Sequence, residues 1–179
     1  MNEVFNIIAK RRSIRKYQDK PVERDKIIRI IEAARLAPSA SNGQPWRFIV
    51  VSDKQLLLKI VKETLGIINQ WAASAPVIIV GCSVRKNIIT HYLGEVISGI
   101  KYHILDMGIA LEHLVLEAEE LELSTCWVGW FNERKIKRIL NIPSLWRVIS
   151  LITVGYKDPD FIPRTRRRYP LEKILIYKQ

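Results

Sequence analysis

The run Pro76-Val-Ile-Ile-Val-Gly-Cys82 constrains this chain more than any other stretch. Continuous β-branched residues favour an extended backbone and leave no polar face for water, so the run reads as a buried strand. A buried strand needs apolar cover on both faces, and the chain can supply it. Of its 179 residues, 48% are hydrophobic. A folded chain of this mass exposes about 9,000 Å² against about 30,000 Å² unfolded, so about 70% of its surface can be buried. This excludes intrinsic disorder and a small disulfide-stapled fold, and one domain over residues 1–179 is expected.

The remaining elements follow from pattern. Val4, Phe5, Ile7 and Ile8 predict a short first helix ending at a basic cluster. A second helix opens at Pro21, shows Ile27, Ile30, Ile31, Ala34 and Leu36 on one face, and closes at Pro38. Trp46–Val51 reads as a strand. Ser52 and Gln55 form a capping-box pattern for a third helix through about Ile68. Ile104, Met107, Gly108, Leu111, Leu114, Val115, Ala118 and Leu121 keep helical spacing over about Gly99–Leu121. Ser124–Val128 is a further strand, Asn132 caps a short helix through Leu140, and Val148–Val154 is the last core strand. Leu171–Tyr177 is apolar and β-prone after a Pro- and Arg-rich connection, and is expected to be an arm pairing with another subunit. Helices and strands mix without a βαβ rhythm, which predicts an α+β fold.

Twenty-nine basic against 18 acidic residues give a net charge of +11, which implies an anionic partner without naming it. No apolar run approaches the roughly 20 residues of a membrane-spanning helix. The order of apolar and basic residues over Met1–Arg12 reverses that of a secretory leader. Cys82 and Cys126 form no metal-type spacing. The expectation is a reduced, cytoplasmic protein.

The common catalytic motifs are missing. No Gly-x-Gly-x-x-Gly follows a strand, and no P-loop or Gly-x-Ser-x-Gly elbow occurs. His91, His103 and His113 lack ligand spacing and read as surface or packing residues. Cys126 has no cation near it in sequence and reads as an inert thiol. Glu117, Glu119, Glu120 and Glu122 read as a solvated patch. The basic clusters are more informative: Arg11, Arg12, Arg15 and Lys16 near the start, and Arg164, Arg166, Arg167 and Arg168 near the end. Arginine forks beside the Ser13 hydroxyl suit phosphate oxygens, and a solvated helix end fits the spacing equally well. The two clusters can serve one phosphate only if the fold brings the termini together. The loop Pro38–Trp46 is rich in small and turn-forming residues. Its Ser39, Asn42 and Gln44 suit either the polar edge of a heteroaromatic ring or a turn with Trp46 packed beneath.

Four segments in order carry a family resemblance. Arg11-Arg12-Ser13-Ile14-Arg15-Lys16-Tyr17 and Ala37-Pro38-Ser39-Ala40-Ser41-Asn42-Gly43-Gln44-Pro45-Trp46-Arg47-Phe48 resemble the amino-terminal signature of the FMN-dependent nitroreductases. Ser124-Thr125-Cys126-Trp127-Val128-Gly129 is similar to that family's Gly-Leu-Gly-Ser/Thr-Cys-Trp-x-Gly segment. Arg166-Arg167-Arg168-Tyr169-Pro170-Leu171-Glu172 resembles its Arg-x-Pro-Leu-Glu ending.

The resemblance implies a mostly antiparallel sheet flanked by helices, with a carboxy-terminal arm exchanged in a homodimer. It implies that Arg11, Ser13, Arg166 and Arg168, with Arg12 beside them, hold the FMN phosphate and nearby ribityl hydroxyls. Arg15 would face the flavin N1 and C2 carbonyl edge, where a cation favours the reduced anion. Pro38, Ser39 and Ala40 would line the ring from the partner subunit, ordered by Asn42 and Gln44. Trp127, Val128, Gly129 and Trp130 would lie near N5. The implied reaction is ping-pong: NADH or NADPH delivers a hydride to the flavin, and a nitroaromatic, quinone or flavin then removes it. No protein nucleophile or general base is required.

Three departures qualify the resemblance. Leu121-Glu122-Leu123 stands where the pattern has Gly-Leu-Gly. Neutral Asn69-Gln70 falls where many relatives carry Lys, so the resemblance implies Gln70 as a cofactor contact, leaves Arg15 as the main charge at N1 and lowers the expected flavin potential. The segment from Ser83 to Tyr102 is short, so a more open pocket is expected. Two rival readings remain. A flavoprotein of this fold can specialise in dehalogenation, dehydrogenation or flavin turnover. Both arginine clusters could instead serve nucleic acid, although Tyr17 and Tyr169 are the only aromatics beside them.

Overall fold

In the computed structural model, which describes residues 3–84 and 89–178, the run around Ile79 is the strand β2 (Val77–Val84), buried along nearly its whole length. Its neighbours are β1 (Trp46–Val51) and β4 (Trp146–Gly155), and β3 (Ser124–Val128) pairs on the far side of β4. The order is β1-β2-β4-β3, with every pairing antiparallel.

Alternation along β2 divides the core into two layers. Val77 and Ile79 face one side, where they pack with Ile30 and Ala34 of α2 (Arg24–Arg35). Met107, Leu111 and Leu114 of α5 (Tyr102–Glu120) complete that layer. Ile78, Val80 and Cys82 face the other side, against Leu57, Ile60 and Val61 of α3 (Lys54–Thr64) and Ile136 of α6 (Glu133–Ile139). A register shift at Gly81/Cys82 matches Gly81 to Ser150 and Cys82 to Val148, so Ile149 is passed over. This bulge keeps Val148 and Leu151 in the same layer although they are three residues apart. The fold is therefore α+β, with an antiparallel sheet between helices, as expected.

The ends of several elements differ from expectation. α2 begins at Arg24, three residues after Pro21, because Glu23, its N-cap residue, is still extended at φ −62° and ψ 138°. The cap of α3 is Asp53, not Ser52: its Oδ1 accepts the Leu56 N–H at 2.7 Å. α3 stops at Thr64, because Gly66 turns the backbone to φ 51° before a 3-10 stretch over Ile67–Ser74. Helix α4 (Ile89–Ser98) occupies half of the segment from Ser83 to Tyr102, of which residues 85–88 lie outside the described residues. The arm forms a 3-10 turn at Leu171–Lys173 and no strand within the single chain.

The amino-terminal segment completes the sheet. After α1 (Glu3–Lys10), the Ile14 N–H donates to the Thr125 carbonyl at 3.0 Å, and Ser13 pairs parallel with Thr125. Three residues on, Tyr17 pairs antiparallel with Lys157, and Gln18 N–H donates to the Tyr156 carbonyl. Ile14 and Tyr17 are buried with Ala75 against Trp71 and Phe161. The Tyr17 hydroxyl lies 2.8 Å from the Ile14 carbonyl and 2.7 Å from Thr153 Oγ1. Burial, above all, raises the pKa of this phenol well beyond the usual tyrosine range.

Gly155 lies at the end of β4 under this segment, and a Cβ there would meet Pro76 Cδ at 2.6 Å and the Tyr17 ring at 2.9 Å. The proline ring cannot swing aside, so Gly155→Ala is expected to destabilise the fold by about 1–3 kcal/mol. Urea unfolding followed by circular dichroism checks this. An unchanged midpoint would mean that the β4 end and the amino-terminal segment separate freely.

Candidate functional site

The pairing of residues 13–18 with β3 and the segment after β4 brings the two arginine clusters together. Lys16 Nζ meets Asp158 at 3.2 Å, and Asp158 N–H donates to the Lys16 carbonyl. The chain leaving β4 is thereby held beside the amino-terminal cluster before it reaches Pro163. The result is a cleft of about 240 Å³ lined by Arg11, Arg12, Ser13, Arg15, Pro163, Arg164, Arg166 and Arg168.

No carboxylate among the described residues lines the cleft; Glu112 and Glu119 act on Arg11, and Glu119 on Arg12, only through space. Among the described residues none of these arginines forms a salt bridge. Arg12 Nη1 donates to the carbonyls of Ala9, Lys10 and Arg11, and Arg166 reaches those of Ile8, Ala9 and Arg11. Arg166 is held below the usual guanidinium range by desolvation first, then by the like charges of Arg12, Arg168 and Arg11. A cluster of this sign, with donors converging from two chain segments and a hydroxyl among them, fits a phosphate group. The volume suits a phosphate and a few adjoining atoms rather than a whole drug-sized ligand.

Arg15 points its guanidinium over the Trp71 ring, 5.7 Å from the centroid. Cys126 lies beneath the same cluster. Burial raises its thiol pKa, opposed first by Arg15, then by a Ser13 hydrogen bond and by Arg11. The sequence reading found no cation near Cys126 because the cations arrive through space. The acidic patch also differs from expectation. Glu117 pairs with Arg29 at 2.6 Å, and burial raises the pKa of Glu119, so these carboxylates are not a uniformly solvated face.

The remaining candidate residues lie outside the cleft. Residues 38–46 form a prebuilt loop in which Ser41, Asn42 and Gln44 all adopt left-handed backbone, at φ 48°, 53° and 46°. Such residues are costly without glycine, and hydrogen bonds hold them. Gln44 N–H donates to Ser39 Oγ, and Gln44 Nε2 donates to Asn42 Oδ1, both at 3.0 Å. Ala40 N–H donates to Asp106 Oδ1 at 3.1 Å. Asp106 is a buried carboxylate of α5 that the sequence reading missed, since one acid on an apolar helix gives no local signal. Pro38, Asn42 and Gln44 are exposed, and Ser39 and Ala40 are half-buried. Val128 is buried, while Gly129 and Trp130 are exposed at the end of β3, and Trp127 is half-buried against the α5 layer. Asn69 Nδ2 donates to the Trp130 carbonyl at 3.1 Å. The Gln70 carboxamide donates to the carbonyls of Val61 and Gly66, so it caps the end of α3. Trp71 was also missed, because a tryptophan in an apolar stretch carries no motif, while Arg164, read only as part of the carboxy-terminal basic cluster, lines the cleft.

Comparison with known proteins places this geometry. The sequence model of the nitroreductase family matches residues 8–156. A protein of Archaeoglobus fulgidus, named as a candidate NADH dehydrogenase/NAD(P)H nitroreductase, is 34% identical over 95% of each chain. An iodotyrosine deiodinase of Thermotoga neapolitana is 24% identical over 98% of this chain and 97% of its own. The solved structure of an FMN-dependent nitroreductase of Clostridium difficile superposes with a TM-score of 0.78 at 28% identity. That match covers 98% of this chain and 99% of that one.

Both thiols are buried, and burial pushes Cys82 up to about 11. About one Cys82 in a thousand is then ionised at pH 8. In the native protein Ellman's reagent is expected to label neither cysteine at an appreciable rate, and to label both once guanidinium unfolds the chain. Rapid labelling of native Cys126 would show that Arg15 and Arg11 outweigh its burial.

Proposed function

Because the chain belongs to the nitroreductase family, we propose that it is an oxidoreductase that binds FMN and takes electrons from NADH or NADPH. Its acceptors are nitroaromatics, quinones or free flavins. The observation that carries this reading is the convergence of Arg11, Arg12, Ser13, Arg166 and Arg168, from opposite ends of the chain, on one phosphate-sized cleft. Bound FMN supplies hydride acceptance and donation. The chain's own residues bind and orient. Arg11, Ser13 and Arg168 hold the phosphate. Arg15, supported on Trp71, would supply a fixed positive charge to the bound ring, favouring its reduced anion. The loop Pro38–Gln44 is stiff enough, through its bonds to Ser39, Asn42 and Asp106, to wall a planar ring. That wall belongs to a second copy of the chain, since none of its residues lines the cleft.

A homodimer is supported by surface arithmetic. The chain exposes 11,829 Å², against about 9,000 Å² for a compact monomer of its mass. Much of the excess is apolar: Leu171, Ile174, Ile176 and Tyr177 of the arm are all exposed. β1 is an edge strand, and an apolar groove of about 590 Å³ beside it is lined by Val22, Ile27, Ile28, Ile31, Val50 and Val77. We assign this groove to the partner's arm. The buried Tyr17 weakens the nucleic-acid reading, because it leaves only Tyr169 exposed for stacking beside the arginines. The deiodinase relative favours a second reading, in which the same site reduces a halogenated phenol.

Anaerobic absorbance spectra of the purified protein with FMN, then NADH or NADPH, test the first reading. Flavin bands bleached by one nicotinamide and restored by a nitroaromatic or quinone are expected. Restoration only by a halogenated phenol selects the second reading, and protein that binds no FMN overturns both. Arg15→Gln is expected to lower the flavin midpoint potential by about 30 mV, equivalent to tenfold in the two-electron equilibrium, as measured against a reference dye. Removal of residues 171–179 is expected to convert the dimer to a monomer in light scattering. An unaltered dimer would mean that the arm is not exchanged.

A further inference from the structure

Arg12 and Arg166 both donate to carbonyls at the end of α1, but Arg12 does so within its own segment, whereas the bonds of Arg166 cross from the opposite end of the chain. Arg166 Nη2 donates to the Ala9 carbonyl at 2.9 Å, and its Nη1 reaches the carbonyls of Ile8 and Arg11 at 3.4 Å each. These carbonyls belong to the last turn of α1 and the residue after it, where a helix leaves its acceptors unpaired and its dipole negative. Among the described residues, these are the only hydrogen bonds joining residues 162–178 to the rest of the chain. One guanidinium thus ties the whole carboxy-terminal tail to the body. It does so from within a group of like charges, Arg11, Arg12 and Arg168, which no carboxylate neutralises by a salt bridge among the described residues.

We propose that Arg166 is a positioning residue, a strap holding the tail against α1, and that a phosphate monoester in the cleft closes the strap by neutralising the arginines around it. The proposal rests on reading the cleft as the FMN phosphate site. The anion itself is held by Arg11, Ser13, Arg164 and Arg168, while Arg166 acts through α1 and the tail. Repulsion opposes the strap when the cleft lacks an anion, and bound phosphate reverses the sign of that contribution. Tail docking and phosphate binding are therefore linked, and each strengthens the other by the same factor.

Full-length protein freed of flavin tests this by its rate of tryptic cleavage within residues 164–168 at low ionic strength. Saturating FMN is expected to slow cleavage at least tenfold, inorganic phosphate to slow it in part, and riboflavin, which lacks the phosphate, to leave it unchanged. In Arg166→Met, cleavage is expected to stay fast even with FMN bound. FMN affinity should fall about tenfold, the scale of one hydrogen bond to a charged group, while riboflavin affinity stays the same. Arg166→Lys keeps the charge and is expected to recover part of both effects. A purely structural role for Arg166 would weaken both flavins equally.

Equal protection of wild type and Arg166→Met by FMN would mean simple occlusion by the ligand and would overturn the strap. FMN that binds without slowing cleavage would overturn it too, leaving the cofactor assignment intact. Protection by inorganic phosphate in a protein that binds no FMN would keep the strap and remove the cofactor assignment. If the protein binds no FMN and neither anion protects the tail, both fall.

Discussion

The arrangement depends on a short length of pairing. Ile14 N–H to the Thr125 carbonyl, the Tyr17–Lys157 bridge and the Tyr17 hydroxyl between Ile14 and Thr153 fix residues 13–18 against the sheet. Ile14 and Tyr17 are the buried anchors, and anchoring Ile14 fixes the positions of the arginines on either side of it. The same pairing holds the chain after β4 and sets the direction in which Pro163 and the arginines after it depart. The arginine-lined cleft is thus a by-product of how the sheet is finished at its β3 edge, with little dedicated architecture of its own.

Collecting cations in one place opposes folding, and the structure limits that cost in two ways. Arg12 and Arg166 are directed at the carbonyls ending α1, which are negative and would otherwise go unpaired. Arg15 and Arg168 remain exposed at the wet margin of the cleft, where water screens them. What remains is an excess of positive charge concentrated where an anion fits. The loop at residues 38–46 shows the same economy. Three left-handed residues are strained, and hydrogen bonds accepted by Asp106, Ser39 and Asn42 hold the loop in place beforehand.

Strands were legible where chemistry and burial coincide. Trp46–Val51 and Ser124–Val128 were read with their observed ends, because β-branched and aromatic residues in short runs leave few alternatives. Helix ends were less legible. The apolar period continues past Thr64, yet Gly66 breaks the helix, and Asp53 competes with Ser52 for the cap with only geometry to choose between them. Helix α4 was missed because Gly94 and its β-branched neighbours argue against a helix. In the site, the arginine clusters were visible as composition, but nothing local reveals that Arg166 bonds to carbonyls near the other end of the chain. The partner of Ala40 was hidden for the same reason, since Asp106 lies 66 residues away.

That sequence distance has a consequence for biosynthesis. Arg166 meets Arg11 across 155 residues, so the amino-terminal half of the cleft leaves the ribosome long before its counterpart is made. A nascent chain that has completed α5 and even the whole sheet still presents an unfinished anion site. On the proposed reading of this cleft, loading of a phosphorylated cofactor is a late event that follows, and does not guide, formation of the core.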